Sequence, residues 1–232
     1  MTVTAKDVSK LRQMTGAGLM DCKRSLTEAE GDFDKAVELL RKKGQKVFAS
    51  RAGRATSEGV VFAKTNDSNS EGTLIAFTCE TDFVAKNKEF MSLGNEIAEL
   101  AFAEKPESIE ALHEMSLGDL TVQEKIVEMT GKIGERLEVK DIQVLSGDAV
   151  VSYIHSNAKL GVLVALKNTN GSNVEEAGRD VAMQIAAMNP VAVDKESVDP
   201  IIVEKEIEIG REQARQEGKP ENIIEKIAIG KL

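Results

Sequence analysis

Residues 74–87 read Leu74-Ile75-Ala76-Phe77-Thr78-Cys79-Glu80-Thr81-Asp82-Phe83-Val84-Ala85-Lys86-Asn87. The apolar run at 74–77 predicts a buried strand, and a helical pattern begins near Asn87. Two readings of the join, Thr81-Asp82-Phe83-Val84, stand side by side. Asp is a preferred helix N-cap, and a phenyl ring beside it packs on the first turn. Alternatively, a carboxylate and an aromatic ring on a strand-to-helix loop reach out of the fold as a contact tip.

This stretch lies in the first copy of an internal repeat. Glu58-Gly59-Val60-Val61-Phe62-Ala63, a polar loop over 66–72 and the strand 73–79 lead to a helical run that ends in 94–106. Asp148-Ala149-Val150-Val151-Ser152-Tyr153, then Gly161-Val162-Leu163-Val164-Ala165-Leu166, lead to a helix over 178–190. Gly94 matches Gly178, Ile97 matches Val181, Ala98 matches Ala182 and Pro106 matches Pro190. Each copy reads strand, loop, strand, helix, so the body is expected to be α+β, with two subdomains that each back an antiparallel hairpin with a helix. The paired glycines and alanines suit close helix-to-sheet packing. At the strand-to-helix junction the second copy has Asn168-Thr169-Asn170-Gly171, so the acid–aromatic tip belongs to the first copy alone.

Between the copies, 108–115 and 121–133 read as helices, the second with Thr121 and Glu124 as a capping box and Ile126, Met129 and Ile133 inward. Alternation over Leu137, Val139, Ile142 and Val144 predicts a further strand with a register change near Asp141.

Ahead of the body, residues 1–44 predict three short helices. Thr4 caps one through Val8, Leu11 and Met14, and a second starts at Leu19 after Gly16-Ala17-Gly18. Asp32 caps a third that carries Phe33, Ala36, Val37 and Leu40 inward and stops before Gly44. So small a bundle buries little, and its leftover apolar positions suit a partner. Met20 is either such a contact or core filling. Residues 45–57, with Lys46, Arg51 and Arg54, read as a linker or helix tail with solvated charges. After Pro190, isoleucines at helical spacing on either side of Gly218-Lys219-Pro220 predict a helical hairpin, apolar on one face and charged on the other.

Composition narrows the function. The net charge of −9 on 232 residues is uneven, since residues 1–56 hold 12 Lys/Arg against 7 Asp/Glu and the remainder 18 against 32. Basic residues on helical repeats without interleaved aromatics, ahead of an acidic body, fit a protein partner better than nucleic acid. No run approaches the roughly 18–20 apolar residues that span a bilayer, and no signal or transit peptide is recognisable, so a reducing cytoplasm is the expected compartment. Cys22 and Cys79 lack metal or disulfide spacing. No phosphate loop, zinc-protease motif or nucleophile elbow is present. His113 reads as a surface residue. His155, closing Tyr153-Ile154-His155, is either a contact or a loop-edge residue bonded to backbone. No catalytic set assembles, so neither an enzyme nor a cofactor or metal is expected.

The head, Val8-Ser9-Lys10-Leu11-Arg12-Gln13-Met14-Thr15-Gly16-Ala17-Gly18-Leu19-Met20-Asp21-Cys22-Lys23 with Ala36-Val37-Glu38-Leu39-Leu40-Arg41-Lys42-Lys43-Gly44, resembles the N-terminal domain of the bacterial elongation factor Ts family. Cys79-Glu80-Thr81-Asp82-Phe83-Val84-Ala85-Lys86-Asn87 resembles that family's second signature, and Tyr153-Ile154-His155 before Gly161-Val162-Leu163-Val164 resembles the second half of its core. The resemblance implies a translation factor that exchanges guanine nucleotide on elongation factor Tu. It implies a ubiquitin-associated-like head with its linker over 1–55, core subdomains over 56–145 and 146–194, and a helical hairpin over 195–232. It further implies that Thr81, Asp82, Phe83 and Val84, with Arg12, Leu19, Met20 and His155, contact elongation factor Tu. Phe83 would act there as a wedge that disturbs the Mg²⁺ and phosphate geometry. Neither direct nucleic-acid nor membrane binding is implied, and a second copy docked through the hairpin is a further expected partner. The family's Gly-Met-Met is Gly18-Leu19-Met20 here, a near-isosteric change. Family members usually continue past the hairpin, so this chain is expected to be C-terminally short. The competing reading is a binding module whose head recognises a helix or ubiquitin-like partner on a scaffold body.

Overall fold

The computed structural model describes residues 3–231. The chain divides into two compact units, Met1–Ala187 and Met188–Leu232.

The first unit opens with three helices, α1 (Ala5–Thr15), α2 (Leu19–Glu28) and α3 (Phe33–Ser50). Thr4 and Asp7 form a capping box on α1, and Asp32 caps α3 through the Asp34 and Lys35 amides. Val8, Leu11, Cys22, Leu26, Ala29 and Ala36 form their buried core. Met14, expected along the inward stripe with Val8 and Leu11, is instead 59% exposed.

Helix α3 differs from expectation at its far end. It runs through Gly44 to Ser50, because Gly44 is a packing position and not a stop. There α3 crosses a later helix, α7 (Val122–Ile133), so closely that a Cβ on Gly131 would lie 2.5 Å from the Gly44 Cα. Two glycines let the backbones meet, and the energetic cost of a mid-helix glycine is offset by that contact.

The body carries β1 (Glu58–Thr65), β2 (Glu71–Cys79), α4 (Asp82–Ala85), α5 (Lys88–Glu104), α6 (Ile109–Glu114), the two-residue strands β3 (Ser116–Leu117) and β4 (Leu120–Thr121), α7 and β5 (Leu137–Ser146). Strands β1-β2-β5 make one antiparallel sheet, with a bulge where Ala76 faces Asp141 but Phe77 faces Val139. That extra residue, Lys140, is the register change the alternation predicts. The tiny β3–β4 ribbon went unpredicted, being too short to carry a period. The Thr121–Glu124 capping box forms as expected. Phe77 and Phe90 stack at 4.5 Å in a core with Ile75, Ile97, Leu112, Ile126 and Leu137.

The repeat is real. Strands β6 (Ala149–Ile154) and β7 (Gly161–Leu166) form the second hairpin, backed by α8 (Glu175–Met188). A Cβ on Gly94 would meet Phe62 at 2.4 Å, and one on Gly178 would meet Val151 at 2.6 Å, so both glycines serve helix-to-sheet contact. The copies part at the next match, because Ile97 is fully buried whereas Val181 is 45% exposed. The second hairpin leans on the first, with the Val61 amide donating to the Ala158 carbonyl at 2.7 Å.

In the second unit, a 3₁₀ turn (Lys195–Ser197) precedes α9 (Pro200–Gln216) and α10 (Glu221–Lys231), the expected hairpin. Gly210 on α9 sits under Ala228 of α10, and Arg211 ties Glu208 to Glu225. Together, three small helices, antiparallel sheets backed by helices and a helical hairpin make a mixed α+β protein.

Candidate functional site

Strand β2 leaves the core at Cys79, and α4 starts three residues later. Asp82 is not the cap of this helix but its first residue; Thr81 occupies the capping position and makes no side-chain capping bond. Its hydroxyl is engaged elsewhere. The Thr81 hydroxyl donates to one oxygen of Glu135 at 2.8 Å, and the Thr81 amide donates to the other at 3.0 Å. Beneath it the Cys79 thiol donates to the Thr81 carbonyl at 3.1 Å. Burial, aided by the Glu135 carboxylate, pushes that thiol up to about 12.

One residue earlier, Glu80 is held just as firmly. Arg51, just past the end of α3, reaches both Glu80 oxygens at 2.8 and 2.9 Å, and the Arg136 amide donates to Glu80 at 2.6 Å. Burial opposes the Glu80 charge, yet these donors outweigh it and hold the carboxyl below its ordinary value. Arg136 also donates to the carbonyls of Ala52 and Arg54 and to Glu138, while Thr56 bonds Glu138. The segment read as a linker or helix tail is helical to Ser50, and its charges, read as solvated, tie it into the sheet through Arg51.

On this footing stand Asp82 and Phe83. Val84 and Ala85 turn into the core, so Val84 anchors the tip from beneath with little of its surface open. Phe83 points the other way and is 82% exposed, which excludes its packing on the first turn of a helix. The Asp82 carboxylate accepts from Lys86 at 2.7 Å, and that bond holds its pKa below the ordinary carboxylate range, with a smaller contribution from the Lys159 charge. Lys159 in turn pairs with Glu58 at 2.5 Å, so the β6–β7 turn lies beside the tip. His155 borders that turn; it is exposed, its amide donates to the Leu160 carbonyl, and its Nδ1 lies 2.9 Å from the Tyr153 hydroxyl oxygen. The expected backbone bond and an open ring coexist there.

On the head, Arg12, Leu19 and Met20 are exposed, which excludes the core-filling reading of Met20. Met14 joins them, a residue whose helical spacing had placed it inward. These residues connect to the tip through α3 and its Arg51–Glu80 pair. Elsewhere, His113 is half-buried and not a surface residue, and burial lowers its pKa. Among the described residues, no group of three His, Cys, Asp or Glu can hold a metal, and no helix is long and apolar enough to cross a membrane. Arg51, Glu80 and Glu135 were missed from the sequence, since their partners lie 29 to 56 residues away and no local pattern marks such pairs.

Fold and site together define an α+β chain with one rigidly footed, outward-facing acid–aromatic tip. Residues 80–232 match the family model described as Elongation factor TS. The chain is 54% identical over 232 residues to Elongation factor Ts of Amoebophilus asiaticus, covering 100% of this chain and 84% of that relative. It is 56% identical to Elongation factor Ts of Cytophaga hutchinsonii with the same coverage, and 50% identical to that of Christiangramia forsetii over 99% of this chain and 83% of the relative. The chain belongs to the elongation factor Ts family.

Proposed function

We propose that this chain is a guanine-nucleotide exchange factor that binds elongation factor Tu carrying GDP and promotes GDP release. The observation that carries the reading is the Phe83 ring, 82% exposed on a four-residue helix whose Val84 and Ala85 are buried. An aromatic side chain held out on a fixed footing is suited to insertion into another protein. Asp82 and Phe83 enter the GTPase near its nucleotide, with Phe83 as an apolar wedge that disturbs the Mg²⁺ and phosphate geometry. Exchange factor and nucleotide then weaken each other's binding reciprocally. A change of about 10³ in nucleotide affinity needs about 4 kcal/mol of coupling. Burying one Phe contributes about 1.5–3 kcal/mol, so other contacts must take part. Arg12, Leu19 and Met20, joined by Met14, supply them from the head, and His155 supplies one beside the tip. Thr81 and Val84 serve as the tip's footing.

On this reading residues 1–55 are a ubiquitin-associated-like head and linker, 56–145 and 146–194 the two core subdomains, and 195–232 the hairpin. The protein works in the cytoplasm during translation elongation and makes or breaks no covalent bond. A stopped-flow measurement of fluorescent GDP leaving elongation factor Tu tests it. Stoichiometric protein is expected to accelerate release, and Phe83→Ala to lose about tenfold or more of that acceleration. Equal rates with and without the protein sink the reading; equal rates for wild type and Phe83→Ala sink the wedge alone.

A further inference from the structure

We propose that Glu135 is a positioning residue for exchange, fixing the Asp82–Phe83 tip through its two hydrogen bonds to Thr81. The proposal rests on the exchange reading above and extends it to a residue on another element. Glu135 follows Gly134, the residue that ends α7, and precedes β5. Its two oxygens take separate donors on Thr81, the backbone amide at 3.0 Å and the hydroxyl at 2.8 Å. A residue gripped at both groups has its backbone and its χ1 angle fixed together, and charge-assisted bonds of this kind are the stronger class. The choice of partner also matters. A threonine at a helix cap ordinarily spends its hydroxyl on the helix's own amides, but here it is diverted to Glu135 and α4 goes without a side-chain cap. A four-residue helix without that cap has little stability of its own, since helix nucleation is unfavourable. The direction in which Phe83 points is therefore set by what holds Thr81 and by the burial of Val84 and Ala85.

A second carboxylate acts in parallel one residue back. Glu80 takes Arg51 and the Arg136 amide, so the residue after Glu135 in the chain also grips the tip's approach. Glu135 is the closer of the two to the wedge and the one whose partners belong to the helix start itself. An exposed ring gains from such a hold because a wedge that swivels must lose that freedom as it enters the nucleotide site, the step that follows docking by the other contacts. Phe83 has the exposure to swivel, and Glu135 limits it.

The test uses the full chain and elongation factor Tu loaded with fluorescent GDP, with release rates measured across a range of exchange-factor concentrations. Glu135→Ala is expected to lower the saturating rate about tenfold, the size expected when charge-assisted bonds are lost, and to leave the half-saturating concentration unchanged. Glu135→Gln keeps one acceptor for the amide and a donor for the threonine oxygen, so it is expected to restore most of the rate. In a Phe83→Ala background, Glu135→Ala is expected to add no further loss, because it acts through the ring. A wild-type rate in Glu135→Ala, or a full additional loss on top of Phe83→Ala, overturns the positioning role while leaving exchange itself intact. No acceleration by the wild type overturns the exchange reading, and the role of Glu135 with it. Should Glu135→Ala fail to fold, Thr81→Val removes the hydroxyl bond alone. An intermediate loss of saturating rate then supports the proposal, and an unchanged rate overturns it.

Discussion

Phe83 and Cys79 are four residues apart on the same turn of chain, and their environments are opposite. Phe83 is 82% exposed, so removing its ring takes nothing from the core; Phe83→Ala is expected to melt within about 0.5 kcal/mol of wild type while losing exchange. Cys79 is fully buried below the tip, with its thiol pushed up to about 12 by burial and the Glu135 charge. At pH 8 the thiol is therefore overwhelmingly protonated and the reactive thiolate scarce. A thiol-reactive chromophore at pH 8 is accordingly expected to leave Cys79 unlabelled in the folded protein and to label it promptly in denaturant. Rapid labelling of the native chain would mean that the tip's footing opens far more often than its bonds imply. An acid beside an aromatic ring after a strand was enough to mark Asp82 and Phe83 from sequence. Glu135 was invisible there because it acts from 54 residues away, and a lone Glu after a glycine has no distinguishing pattern.

Several helix starts were legible where a side chain fixes them, though the Asp199 cap of α9 was not among them. Thr4, Asp32, Asn87, Ser108 and Thr121 all cap the helices they precede. Two helix ends differ from the sequence reading: Asp82 is the first residue of α4 and not its cap, and Gly44 stays helical because α7 crosses it. The crossing makes a sharp prediction. A Cβ on Gly131 would stand 2.5 Å from the Gly44 Cα, a backbone atom that cannot swing aside, whereas a Cβ on Gly53 meets nothing within 4 Å. Gly131→Ala is expected to cost about 1–3 kcal/mol through overpacking and to loosen α3 from α7. Gly53→Ala is expected to be neutral or slightly stabilising, because it only restricts the unfolded chain. Chemical denaturation of both variants checks the contrast, with limited proteolysis near Arg51 and Arg54 reporting whether the end of α3 has come free. Equal stability for the two would mean that the helices do not meet at these glycines.

In the Met1–Ala187 unit, the repeat was readable because two hairpins and two helices carry the same pattern, while the joint between head and body was not. That joint consists of a glycine crossing and of ion pairs between distant residues, neither of which has a period. The ion pairs give the unit a definite response to acid. Within the head, Asp21 is held below its ordinary 3.8, chiefly by a hydrogen bond from Lys43; at the joint, burial raises the Glu80 pKa but Arg136 and Arg51 outweigh it and hold it below its ordinary 4.5. For a carboxyl whose folded pKa is depressed, the unfolded chain takes up protons first. The stability such a group contributes is complete above its ordinary pKa and is lost as pH falls through the lower folded value. His113 has its folded pKa lowered from 6.5 by burial, so here too the unfolded chain binds the proton first, and loss begins as pH drops below 6.5. Two steps are therefore expected in melting temperature against pH: a small decline beginning near 6.5 and a steeper one below about 4.5. His113→Asn is expected to remove the first step, and Glu80→Gln to make the second shallower from a lower starting stability. A melting temperature that stays flat from pH 7 to pH 3 would mean that neither His113 nor the Glu80 joint is linked to folding.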